Sequence, residues 1–110
     1  MQIIINSNSQ VLMDQESIEQ HEAEIAAELD RFKERLTRIE VHLTDENSLA
    51  KGGDDDIRCL MEARPAGQQP VGVEVRAATV EQALREGADT LKRRLSTMFE
   101  KARTEQRRPR

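Results

Sequence analysis

Aromatic rings are nearly missing from this sequence: two Phe, no Tyr and no Trp in 110 residues. That scarcity excludes a nucleic-acid platform built on stacked aromatic side chains, and it requires the core to be aliphatic. Cysteine is almost as rare. The single Cys59 has no partner for an internal disulfide, so no oxidising compartment is called for and a cytoplasmic setting is the default expectation. No apolar run approaches the length of a membrane span, and the N-terminus lacks a charged region followed by a long hydrophobic one.

Charge is plentiful, at 35% of residues, but unevenly placed. Residues 1–50 carry eleven acids against four bases, and residues 76–110 carry ten bases against five acids. The net charge of −4 therefore hides a dipole. Global acidity opposes indiscriminate DNA binding, while the basic C-terminal third offers a local surface for anions.

What the chain does have is alternation. Ile39, Val41 and Leu43 alternate with Glu40, His42 and Thr44; Ile57, Cys59, Met61 and Ala63 with Arg58, Leu60, Glu62 and Arg64; Val71, Val73 and Val75 with Gly72, Glu74 and Arg76. Successive strand residues point to opposite faces, so each segment has one core face and one wet face, and Cys59 belongs to the core. Three such strands joined by turn-rich links read as an antiparallel meander covered on one side. The links are residues 45–56, with Gly52-Gly53, and the proline-bounded 65–70. A short β-branched run at residues 2–6 supplies a further strand.

Two segments have helical period instead. Asp14 is a suitable N-cap for a helix whose apolar stripe is Ile18, Ile25, Leu29, Phe32 and Leu36, expected to end near Thr37. That helix is acidic at first and basic in its last turns, with Arg31, Lys33, Arg35 and Arg38 suited to the negative end of its dipole. The second helix starts at Thr79, where Thr79 and Gln82 match a capping box. Its apolar face is Val80, Ala83, Leu84, Ala88, Leu91, Leu95, Met98 and Ala102. Gly87 on that face costs about 1 kcal/mol relative to Ala, which a close approach to the sheet or the other helix would explain. The order β-α-β-β-β-α predicts an α+β domain: a four-stranded mixed sheet with two roughly parallel helices on one face. One domain is expected over residues 1–104, followed by a flexible basic tail at 105–110.

No catalytic machinery emerges. His42 faces outward beside Glu40, with Arg58 or Glu62 as the expected cross-strand neighbour, and Cys59 faces the other way, so a Cys–His pair is disfavoured. The acidic loop (Asp45, Glu46, Asp54, Asp55, Asp56) fails the calcium-loop pattern, because Leu49 and Ala50 stand where an oxygen ligand and a Gly are required. Gly52-Gly53 lacks the Lys-Ser/Thr of a phosphate loop. No enzyme, metal or cofactor is expected. What remains are basic helix faces, with Arg85, Lys92, Arg93, Lys101 and Arg103 lying mostly off the second helix's apolar stripe and Arg94 at its edge.

The helix ATVEQALREGADTLKRRL and the stretch RLTRIEVHLTDENSLAKGGDDDIRCLMEARPAGQQP resemble the ribosome hibernation-promoting factor and ribosome-associated inhibitor (sigma-54 modulation) family. The closer likeness is to its short proteobacterial branch, over nearly the whole chain. The resemblance implies a factor docked between head and body of the small ribosomal subunit, occupying the mRNA and tRNA channel and holding idle ribosomes inactive. It implies rRNA-binding residues among Arg31, Arg35, Arg38, Arg85, Lys92, Arg93 and Lys101. Arg31, Arg93 and Lys101 fall on family basic positions, whereas Glu28, Thr90, Thr97 and Phe99 replace others. A second expectation follows from that charge change: an acidic first helix (Glu22, Glu24, Glu28) engaging a basic protein partner.

Overall fold

The computed structural model describes residues 1–8, 13–45 and 57–107. Its elements are β1 (Gln2–Ser7), α1 (Gln15–Glu28), a 3-10 turn (Asp30–Phe32), β2 (Leu36–Asp45), β3 (Ile57–Pro65), β4 (Val71–Ala77) and α2 (Val80–Arg107). The sheet runs β1-β2-β3-β4. β1 lies parallel to β2, and the other two pairings are antiparallel. This is the expected mixed sheet and element order.

Register puts the expected residues inward. Ile39 pairs with Ile3 and Ala63, Val41 with Ile5 and Met61, and Leu43 with Cys59. All but Ile3 and Ile5, which are half-buried, are shut off from water. Leu29, Leu84, Leu91 and Leu95 from the helical layer close over them, forming a single core that is aliphatic except for Phe32 and Phe99 and the sulfur of Cys59 and Met61. α1 lies along β1, and α2 spans β3 and β4. Both helix starts are capped: Ser17 N–H donates to Asp14 Oδ1 at 2.8 Å, and Gln82 N–H to Thr79 Oγ1 at 3.1 Å. The Gln82 side chain reaches forward to Glu86 rather than back to Thr79. Gly87 is explained by proximity: a Cβ there would sit 3.2 Å from Met61 Cε and 3.3 Å from Cys59 Sγ.

The first helix is shorter than its apolar spacing predicts. It stops at Glu28, not Thr37, and Leu29, the C-cap, leads into 3-10 bonding, with Phe32 N–H to Leu29 and Lys33 N–H to Asp30. A β-bulge at Thr37 then shifts the β2–β3 register between Leu36 and Arg38, so that Leu36 and Ile39, three apart, both face the core. A 3-10 turn and a bulge thus imitate helical spacing. The correction moves Arg31, Lys33 and Arg35 into the connection and Arg38 onto β2. At the other end α2 stays helical to Arg107, beyond Thr104, and residues 108–110 lie outside the described residues.

Candidate nucleic-acid interface

The two helices run parallel, as their contacts show in chain order. His21 and Glu24 of α1 lie beside Leu84–Asp89 of α2, Lys92 Nζ meets Glu28 Oε1 at 3.5 Å, and the Phe32 ring stands 5.5 Å from that of Phe99. The sequence dipole therefore becomes a spatial one, acidic where the helices start and basic beyond Lys92.

At the basic end, Arg31 lies over the Phe32 ring at 5.0 Å and Arg35 over Phe99 at 4.6 Å. Such cation–π contacts are each worth about 0.5–1 kcal/mol at exposed sites. They hold two long cations against the rings instead of leaving them to sweep through solvent. Arg35 is fixed further by its backbone, whose N–H donates to the Phe32 carbonyl and whose carbonyl accepts from Ala66 N–H, both at 2.9 Å. A groove of 310 Å³ lies between Arg31, Arg35, Ser96, Glu100 and Arg103, with Phe32 and Phe99 beneath. A second, of 390 Å³, adjoins it and shares Arg35, Phe99 and Arg103. Among the described residues Arg31, Arg35, Lys101 and Arg103 have no ion-pair partner.

The other sequence-nominated cations are committed elsewhere. Arg85 pairs with Glu81 at 2.9 Å, Arg93 with Asp89 at 3.2 Å and Lys92 with Glu28. Arg38 sits on the helix-free face of the sheet, 3.2 Å from Glu40, so it does not join the basic end. Arg94, at the edge of the stripe, reaches across to the Gly72 carbonyl of β4.

Arg103, which the sequence placed on the basic helix face but the resemblance did not include, lines both grooves. The Phe pair that supports the arginines was not nominated for the site. Phe99, which the resemblance places at a surface basic position, is instead 8% exposed and part of the core. Its position one residue after Met98 on the stripe is the signal that would have found it.

No protein-family model and no curated relative matches the chain. Among solved structures, the Thermus thermophilus Protein Y N-terminal domain matches with a TM-score of 0.67 and 20% identity, over 89% of this chain and 99% of that domain. The chain has that domain's fold. A ribosomal subunit interface protein from Coxiella burnetii matches with a TM-score of 0.63 and 14% identity, over 91% of this chain and 99% of its own.

On that fold, the helix-free sheet face is an ion-pair lattice. Glu40 is engaged by Arg38 and Arg64, Glu62 by Arg64 at 2.9 Å, and Glu74 by Arg58 at 2.7 Å and Arg76 at 3.9 Å. The Arg58 hydrogen bond holds the Glu74 carboxyl below its ordinary pKa. His42 stands directly opposite Leu60, not Arg58 or Glu62, and the arginines occupy Glu40. No three metal-ligating side chains cluster among the described residues. Of the acidic loop only Asp45 is described; Glu46, Asp54, Asp55 and Asp56 lie outside the described residues. No helix among the described residues is long and apolar enough to cross a membrane.

Proposed function

We propose that this chain is a non-enzymatic, cytoplasmic, ribosome-associated factor of the hibernation type. It binds small-subunit rRNA through the basic end of its helical layer and occludes the mRNA and tRNA channel. The observation that carries this is the convergence of Arg31, Arg35 and Arg103, none of them ion-paired among the described residues, on one groove, with Arg35 and Arg103 also lining the groove that adjoins it. The shared fold with a ribosomal subunit interface protein supports it. A steric block needs bulk and affinity but no bond-making. Cations freed of carboxylate partners supply the affinity by displacing counterions from phosphates, and such contacts position a protein without reading sequence. The assigned set is Arg31, Arg35 and Arg103 first; Lys101 is unpaired among the described residues but lines neither groove. Arg93, Lys92 and Arg85 must each give up a carboxylate to take part.

Sedimentation of the purified protein with ribosomal subunits on sucrose gradients across a salt series tests this. Co-migration with the small subunit, released as salt rises, is the expected result. Failure to co-migrate at low salt overturns the assignment.

The opposite end of the layer supports a second reading, a protein-interaction or stress-regulatory module. A groove of 560 Å³ between α1 and α2 is rimmed by Glu24, Glu28, Glu86 and Asp89, with Arg85 and His21 among them. Its electrostatics suit a basic protein segment, with Glu22 of α1 contributing to the same sign of field. Under this reading a ribosome-depleted lysate still yields a partner, and Glu24→Gln with Glu28→Gln abolishes its capture.

A further inference from the structure

Only two phenylalanines exist in the chain, and both rings lie under arginines at the basic end. The Phe32–Phe99 pair is buried, so neither ring is free to stack on a ligand. The planes that remain open are the guanidinium groups. Arg35 stands over Phe99 with its guanidinium carbon 4.6 Å from the ring centroid, is exposed, and is hydrogen-bonded through both its backbone N–H and its carbonyl. A guanidinium plane is one of the surfaces on which unstacked RNA bases rest. Arg31 and Arg103 line the same groove and offer cations for the phosphates on either side of one nucleotide. Glu100 and Ser96 complete the groove wall. A carboxylate there is out of place in a pure phosphate pocket but apt for the amino edge of a base.

The geometry points to Arg35 on Phe99 as a stacking platform for a single unpaired nucleobase, with Arg31 and Arg103 holding its flanking phosphates. This rests on the rRNA-binding reading and narrows it: the target is a looped-out or single-stranded nucleotide, not duplex. It also gives Phe99 a role in place of the cation expected there, as the surface against which Arg35 is held.

The test is fluorescence anisotropy with an unstructured RNA of about six nucleotides, the same RNA with a central abasic sugar, and a short RNA duplex. The intact single strand should bind about tenfold more tightly than the abasic one, the usual scale for one stacked base. Arg35→Lys, which keeps the charge and loses the plane, should bring the intact strand down to the abasic affinity and leave the abasic strand unmoved. Phe99→Leu should act in the same direction. Should that variant fail to fold, Arg35→Lys, at an exposed side chain, still decides. Equal binding of intact and abasic strands, preference for duplex, no binding of any probe, or an Arg35→Lys protein indistinguishable from wild type overturns the platform. Gradient sedimentation separates the two claims. A chain that co-sediments but does not discriminate the abasic strand keeps the ribosome reading and loses the platform. A chain that discriminates but does not co-sediment does the reverse.

Discussion

The two ends of the helical layer are built from the same materials and put them to opposite use. Where α1 and α2 begin, charged side chains lie along the helices in short-range pairs, Arg85 on Glu81 and Arg93 on Asp89, each an i,i+4 neighbour. At the other end Arg31 and Arg35 lie on rings. A pair on one exposed helix contributes a few tenths of a kcal/mol and uses up its cation. A cation over a ring is oriented yet keeps its full charge for a ligand. Counting basic residues along the sequence treats these alike; the distinction lies in what each one touches.

The largest effect should come from removing a ring. Phe32→Ala should cost about 3–5 kcal/mol in denaturant unfolding and also loosen Arg31 and Arg35. At the other end Ile25→Ala should cost about 2–4 kcal/mol while the folded fraction keeps its subunit affinity. If both variants lose subunit binding in proportion to stability alone, the two ends do not differ. Charge comes next. Arg31→Gln with Arg35→Gln should lower the slope of log affinity against log salt by about 2, and Arg85→Gln should leave it unchanged. Glu28→Lys sharpens the contrast further. It breaks the pair with Lys92, whose members are each more than a third exposed, at a stability cost of under about 1 kcal/mol. It also extends the basic end by one turn, so subunit affinity should rise.

The last effect is absent at neutral pH and appears only in alkali. Burial pushes the Cys59 thiol from its ordinary 9.0 up to about 12. The fold favours the neutral thiol, so this contribution is complete below pH 9 and is lost as pH rises through about 12. Stability of the wild type should therefore decline over that window, and Cys59→Ala should flatten the decline while costing a constant amount for the cavity. A thiol reagent should modify Cys59 only as fast as the protein opens.

Most of the fold could be read from the chain because its signals were local. Period-two runs fixed β2, β3 and β4 and the inward face of each, Asp14 and Thr79 marked where helices begin, and Gly87 announced a close approach. The end of α1 could not be read that way. Leu29, Phe32 and Leu36 keep helical spacing through a 3-10 turn and a bulge, the latter set by pairing with β3. That error carried Arg38 to the wrong side of the sheet. The site was legible only in part for a similar reason. Arg31 and Arg35 were named from charge and resemblance, but which cations are already paired, and that two phenylalanines meet beneath the rest, depends on helices 50 or more residues apart in sequence lying side by side.

Gly87, Leu91 and Leu95 also have a consequence in time. The four strands precede α2, so during synthesis the sheet exists before its principal cover. Ile57, Cys59, Met61, Val71 and Val73 leave the exit tunnel as an apolar surface facing water, and stay so until some thirty further residues follow. A nascent chain stalled before α2 is a sticky half-sandwich. The last helix thus covers the sheet's apolar face, and the absence of a side chain at Gly87 lets it approach Met61 and Cys59 closely.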